Sequence, residues 1–386
     1  MNELSITRLV AGGDGLGFLD GKAVFVPGVL PGERVGIRIV RRRRDYDQAV
    51  LVEVLEPSVH RVAPGCRYAG DCGGCDWLHI DYEEQLRQKV SIVAEALRRT
   101  GRIEREEDLQ IEASAPWQSR NRAQVHRGPA GGLGYMGARS IRVVPVEDCP
   151  IVAPAIGRLF RGEAPPPDGL ERFTAFADAE TLAVEGRDDS RDLTMRLEGR
   201  EILFSVACFF QSNVGVLRKL VPWALADLHG ETAADLYCGV GLFGAFLAGK
   251  FSRVIFVESR AISLSYAKRN VPDGAHEFYP MTVEQWIVSG GASCRPDAVV
   301  VDPPRAGLSP ELRVWLTESA PRRLVYVSCN PVTLARDLAV LIGGGYVLDA
   351  IRLFDFYPQT SHVEAVVRLT NRGAKMRGTE MRGAPR

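Results

Sequence analysis

The chain has 386 residues, 46% of them hydrophobic, and its 48 basic and 48 acidic side chains leave a formal net charge of zero. That length holds about two or three domains with ample core, while the neutral balance gives no general attraction to nucleic acid. No uncharged apolar run approaches the roughly 18 residues that span a bilayer, and Met1–Ser5 has neither a basic start nor an apolar stretch, so a cytoplasmic protein with no membrane partner is expected.

Residues 1–57 alternate short β-like runs with glycine turns: Gly12-Gly13-Asp14-Gly15, Ala23–Gly28, then Ile37–Val40 and Ala49–Leu55. Five or so short strands with such punctuation predict a small OB-like barrel. The Arg41–Arg44 block between strands suits a phosphate backbone, or simply a solvated hairpin.

Cys66, Cys72, Cys75 and the distant Cys149 follow. Three near cysteines and one far resemble a ferredoxin-like ligand set. Intracellular chains rarely use such spacing for disulfides, so metal ligation is expected, with iron–sulfur and zinc both open. Cys208, Cys238 and Cys294 lack partners and read as buried thiols. Leu86, Val90, Val93 and Leu97 recur at helical spacing and predict a helix from Tyr82 to Thr100. Trp117–Val206 is mostly β-like, with a Pro/Gly-rich break at Gly162–Gly169.

From Glu231 onward hydrophobic strands alternate with helical stretches, the pattern of a parallel sheet. Candidate strands are Thr232–Leu236, Val254–Val257, Ala298–Val301, Leu324–Val327, Val347–Leu353 and Val363–Leu369. The first runs into Gly239-Val240-Gly241-Leu242-Phe243-Gly244, a full G-x-G-x-x-G, and Glu258 closes the next strand nineteen residues after Gly239. Those glycines allow close approach of a ligand, and the acid can accept ribose hydroxyls. The pattern fits a dinucleotide, S-adenosylmethionine, or a tight structural turn. Asp302-Pro303-Pro304 after the third strand forms a rigid platform. It resembles the turn with which nucleic-acid methyltransferases hold a flipped base, which tilts the choice to methyl transfer. Phe209-Phe210-Gln211 offers rings and an amide to a nucleoside, or a core pair.

Cys329, in Ser328-Cys329-Asn330, follows the fourth strand and stands 27 residues beyond Asp302. A thiol at the carboxyl end of a parallel strand lies where open α/β sheets bind ligands. Carbon methylation of a pyrimidine needs such a thiol, because C5 of uracil is a poor nucleophile until something adds to C6. The bland alternative is a small buried hydrophobe.

Together these segments resemble the RNA uracil-5-methyltransferase family, in particular its S-adenosylmethionine-dependent members with an N-terminal TRAM domain and an iron–sulfur cluster. The likeness runs to about Thr370 and rests on the Gly-rich start, the four cysteines, Phe209-x-Gln211, Asp235–Gly239, Asp302-Pro303-Pro304-Arg305, Ser328–Pro331 and His362-Val363-Glu364. It implies an α/β fold: a TRAM barrel (1–57), a β-rich central domain with the cluster (58–206), a Rossmann-like methyltransferase domain (207–370) and a disordered basic tail (371–386). The helix at 82–100 would pack on the catalytic domain. The resemblance implies Cys329 as nucleophile and Glu364 as the base that removes the C5 proton. It implies Gln211, Tyr237, Gly239, Glu258 and Asp302 as cofactor contacts, and Cys66, Cys72, Cys75 and Cys149 as [4Fe-4S] ligands. Two positions depart from the family pattern: Leu242 stands where a polar residue is expected, and Thr282 where an acid or amide is. The implied reaction is methylation of uridine C5 in RNA by a monomer, with 23S ribosomal RNA favoured. Transfer RNA, or methylation of an exocyclic amine, are the alternatives.

Overall fold

The computed structural model of the chain describes residues 2–178, 181–371 and 373. Five strands, β1 (Asn2–Leu9), β2 (Gly15–Leu19), β3 (Lys22–Val26), β4 (Arg34–Arg42) and β5 (Tyr46–Glu56), close into a barrel in the order β1-β2-β3-β5-β4. Alternate residues point inward, so Leu4, Ile6, Val24, Val26, Val35 and Ile37 fill its interior. Gly17 sits where a Cβ would lie 2.5 Å from the Ser5 carbonyl, which explains a glycine in mid-strand. Arg41–Arg44 form the exposed β4–β5 hairpin. The barrel is not free-standing, because Leu9 and Leu30 share a small core with Trp77, Ile80 and Ile92.

Helix α1 (Tyr82–Ala96) starts at Asp81, whose carboxylate caps Glu84 N–H at 2.8 Å, and ends in a single π-turn over Leu97–Gly101. Strand β6 (Gln110–Glu112) follows. An antiparallel sheet comes next, ordered β11-β10-β7-β8-β9 from β7 (Arg122–Arg127), β8 (Leu133–Met136), β9 (Val143–Pro145), β10 (Arg172–Asp178) and β11 (Thr181–Val184), with α2 (Pro154–Phe160) covering it. A hairpin of β12 (Leu193–Leu197) and β13 (Arg200–Phe204) leads to α3 (Val214–Ala224).

The largest sheet has eight strands: β14 (Gly230–Leu236), β15 (Phe251–Val257), β16 (Glu277–Tyr279), β17 (Ala298–Val301), β18 (Arg323–Ser328), β19 (Tyr346–Phe354), β20 (Glu364–Asn371) and the borrowed β6. Their order is β16-β15-β14-β17-β18-β20-β19-β6, with β20 antiparallel to both neighbours. Helices α4 (Leu242–Leu247), α5 (Ala261–Arg269), α6 (Val283–Ser289), α7 (Pro310–Ser319) and α8 (Pro331–Gly343) complete the unit. Strand residues divide between two cores: Val254, Phe256 and Val300 face one, Ile255, Val257 and Val301 the other. A sheet covered on both faces needs such continuous apolar runs.

Two features cross the boundaries drawn from sequence: strand β6 pairs with β19, and β12–β13 shares its core with α3. Helix α1 packs into the core beside α8. Asn371 closes β20, buried, and its N–H donates to the Arg322 carbonyl at 3.1 Å. The tail expected beyond it, at 372 and 374–386, lies outside the described residues. Among the described residues no helix is long and apolar enough to cross a membrane.

Candidate active site

Chain direction changes sides between β14 and β17, and ligands of open α/β sheets bind at such a switch point. A cleft of about 1080 Å³ opens there, and Gln211, Tyr237, Gly239, Glu258, Asp302, Cys329 and Glu364 all line it. Residues scattered over more than 150 positions thus share one cleft.

The donor side is built from the turn after β14. Tyr237, Gly239 and Gly241 have φ of 62°, 55° and 78°, left-handed backbone that favours glycine. A Cβ on Gly244 would lie 1.9 Å from the Phe256 ring, so α4 can press on β15 only with glycine there. Asp235 accepts the Gly244 N–H at 2.7 Å, and burial pushes its carboxyl up to about 8. Glu258 takes the Gly239 N–H at 3.1 Å on one oxygen and the Arg260 N–H at 2.7 Å on the other, so its carboxylate is held rigidly toward the cleft. The Tyr237 hydroxyl donates to Glu284 at 3.3 Å. Leu242 is buried away from the cleft, whereas Thr282 lines it while its hydroxyl caps α6 through the Gln285 N–H.

Opposite stands the Asp302-Pro303-Pro304-Arg305 loop, and the Gln211 amide donates to Asp302 at 3.3 Å. Asn330 ties this loop to the cysteine strand: its amide donates to the Arg305 carbonyl at 3.1 Å, and its oxygen caps α8 at Val332 N–H. Buried Asp337 on α8 holds the loop's far end, accepting the Leu308 N–H at 2.8 Å and an Arg313 guanidinium N–H at 2.8 Å. Cys329 therefore sits on a braced corner. Burial, then the neighbouring Glu364 carboxylate, pushes its thiol up to about 11, while Arg305 acts in the opposite sense. Glu364 is held well above the usual carboxylate range by burial and by Asp302, again opposed by Arg305. Glu364 Oε2 is buried without a hydrogen-bond partner among the described residues, and such a group marks a place for something else to bind.

Sequence reasoning passed over Tyr357 in the cleft and the contact of Arg122 with Phe209. Tyr357 enters from the loop before β20, and burial followed by Glu364 pushes its phenol up to about 12. Phe209 and Phe210 separate: Phe210 stacks on Phe204 in the core with centroids 4.1 Å apart, while Phe209 is half exposed with the Arg122 guanidinium 5.3 Å over its ring. Alternation along an extended segment would have signalled that split. Nothing in the spacing pointed to Tyr357 or Arg122.

The four-cysteine set is remote from this cleft in sequence but compact in space. Cys66, Cys72, Cys75 and Cys149 line one cavity with Tyr68, Tyr135 and Leu78. Burial raises the thiols of Cys66 and Cys72 and pushes that of Cys75 up to about 12, and their mutual repulsion adds to this. Among the described residues no three His, Cys, Asp or Glu side chains are arranged to hold a metal ion. The four thiols nevertheless line a single cavity, and four cysteines are a donor set that both zinc and iron–sulfur centres use.

The model of the tRNA (uracil-5-)-methyltransferase family matches residues 178–277 and 292–372, and the TRAM domain model matches residues 2–52. A 23S rRNA (uracil(1939)-C(5))-methyltransferase of Halomonas elongata is 32% identical, with 95% of this chain and 89% of that protein covered. A protein of Treponema denticola named as an RNA methyltransferase is 33% identical over 90% of this chain and 93% of its own length. The crystal structure of the Pyrococcus abyssi tRNA (uracil-54, C5)-methyltransferase in complex with S-adenosyl-L-homocysteine superposes with a TM-score of 0.70, at 24% identity, covering 95% of this chain and all of that one.

Proposed function

The chain belongs to the RNA uracil-C5-methyltransferases, and from that premise we propose that it methylates C5 of a uridine in 23S ribosomal RNA, acting as a cytoplasmic monomer. S-adenosylmethionine supplies the methyl group. Tyr237, Gly239 and Glu258 hold its nucleoside end, with Glu258 taking the ribose hydroxyls, while Gln211 and Asp302 line the route toward the methyl. The target uridine is swung out of its stack into the cleft.

The Cys329 sulfur adds to C6, and C5 becomes an enolate-like nucleophile. C5 would take the methyl from the sulfonium, whose S–CH3 bond breaks to leave neutral S-adenosylhomocysteine. Glu364 then accepts the C5 proton, the C5–C6 double bond re-forms, and the Cys329 thiolate leaves. Burial favours the neutral form of both groups, and the positive sulfonium would counter this by favouring the Cys329 thiolate and the Glu364 carboxylate that these steps require. Cys66, Cys72, Cys75 and Cys149 would hold a [4Fe-4S] cluster.

A single observation carries the reading: a thiol and an unpartnered buried carboxylate share one cleft with the strand-end turn that binds nucleosides. Ribosomal RNA is favoured by relatives of matching length that bear that substrate in their names, and transfer RNA by the family model's description and the structural neighbour. Methylation assays on 23S fragments and on tRNA transcripts decide between them. RNA carrying 5-fluorouracil at the target should trap the enzyme covalently, since fluorine cannot leave as a cation. No trapped species would leave amine methylation as the better reading.

A further inference from the structure

Glu364 is the first residue of β20, and the segment before it, Asp355–Val363, has no regular structure. A base mounted at the end of such a loop works only if the loop is fixed, because a misplacement of about 1 Å can cost about a hundredfold. The fixing groups come from another part of the chain. Tyr82, Gln85 and Lys89 recur on α1 at spacings of three and four, hence on one face.

Lys89 is fully buried, and its ammonium donates to Asp355 Oδ1 at 2.5 Å and to the Tyr357 carbonyl at 3.0 Å. Tyr82 donates to the other Asp355 oxygen at 2.8 Å and accepts the Ser114 N–H at 2.9 Å. The Gln85 side chain both donates to the Gln359 side chain, at 3.0 Å, and accepts the Gln359 backbone N–H, at 2.9 Å. Further along, Asp76 accepts the Ser361 N–H at 2.9 Å and the Trp77 N–H donates to the Gln359 carbonyl at 3.0 Å. None of Tyr82, Gln85, Lys89 and Asp355 lines the cleft, yet Tyr357 and His362 on the loop they hold do.

Energetics point to more than stability. A buried ion pair returns little net stability over well-packed apolar residues of the same volume, so an ordinary core requirement at this position would be met by them. A fully satisfied buried network fixes one arrangement of the atoms it joins. The geometry assigns Lys89, together with Asp355 and Tyr82, as positioning residues for Glu364, acting on removal of the C5 proton rather than on addition of Cys329. This inference rests on the reading of Glu364 as the base. The Cys329 corner is braced separately by Asn330 and Asp337, so the two steps can be separated.

The experiment compares the purified full chain with Tyr82→Phe, Lys89→Met and Glu364→Gln on substrate RNA with S-adenosylmethionine, using target uridine carrying either hydrogen or deuterium at C5. Tyr82→Phe and Lys89→Met should bind S-adenosylmethionine within about twofold of wild type and form the Cys329-dependent adduct at an undiminished rate. They should resolve it about tenfold and about a hundredfold more slowly, respectively. The denaturation-stable band then accumulates, and the deuterium effect on turnover rises above that of wild type. Proportional loss of adduct formation and turnover, with no rise in the deuterium effect, would overturn the assignment, as would wild-type behaviour of Tyr82→Phe. If Lys89→Met does not fold, Tyr82→Phe decides alone. Absence of an accumulated adduct in Glu364→Gln itself defeats the reading of the base, and the inference falls with it for that separate reason.

Discussion

The cleft and the four-cysteine pocket both gather thiols, and burial pushes Cys329 upward in one and Cys66, Cys72 and Cys75 in the other, but the surroundings differ. Cys329 faces titratable and charged neighbours, Glu364, Asp302 and Arg305, in a cleft large enough for a nucleoside and a base. Cys66, Cys72, Cys75 and Cys149 share a much smaller cavity with one another, the rings of Tyr68 and Tyr135, and the charges of Arg120 and Asp148. One arrangement can transiently charge a single sulfur when a cation arrives. The other gathers several thiols in one place, where a metal centre would take them as thiolates. What a cysteine does here is set by its neighbours.

The largest test removes the lone sulfur. Cys329→Ala should lower methylation by orders of magnitude, as loss of a nucleophile does, while S-adenosylmethionine binding by calorimetry stays near wild type. Substantial residual turnover would place the chemistry elsewhere. Glu364→Gln should slow product release by about 10²–10⁴-fold, and in gels a slow-migrating RNA adduct should appear that Cys329→Ala removes.

The other side of the comparison is tested through colour. Protein purified without oxygen should be brown, with broad absorbance near about 400 nm. Cys72→Ala should bleach it and lower its melting temperature, yet leave alkylation of Cys329 intact. Colourless protein with one zinc per chain would reverse the assignment.

A subtler measurement follows Cys329 itself. Its alkylation, read by mass spectrometry of its own peptide, should rise with pH toward a midpoint near the value of about 11 set by burial and Glu364. The thiolate is the reactive form, so a lowered thiol value moves that midpoint to lower pH. S-adenosylmethionine should lower it by about one unit or more, and neutral S-adenosylhomocysteine should not. Equal shifts with both would rule out the sulfonium charge as the cause.

The smallest effect expected is at the barrel. Because Leu9 and Leu30 pack on Trp77, and Arg61 pairs with Glu33 at 2.6 Å, deleting the barrel would uncover core. Replacing Arg41–Arg44 by alanine is the cleaner probe. RNA affinity should weaken modestly, and its salt slope should fall by about 0.7–0.9 for each phosphate that an arginine no longer neutralises. An unchanged slope would mean that the hairpin faces solvent only.

Local rules sufficed for much of this protein. Val254–Val257, Ala298–Val301 and Leu324–Val327 are legible as strands because a doubly covered sheet demands uninterrupted apolar runs, and the structure has strands there. Gly239, Gly241 and Gly244 announce a turn that no side chain could make, since each answers to backbone conformation or to an atom in contact. Glu364 was visible only through its likeness to a family, because its spacing on a strand is that of any outward carboxylate. Tertiary structure alone brought Tyr357 beside it, lent β6 to the far edge of the catalytic sheet, and set Lys89 against Asp355 across 266 positions. Pairings of that range leave no periodic trace: each residue type is unremarkable where it stands, and only burial of both charges together gives them meaning.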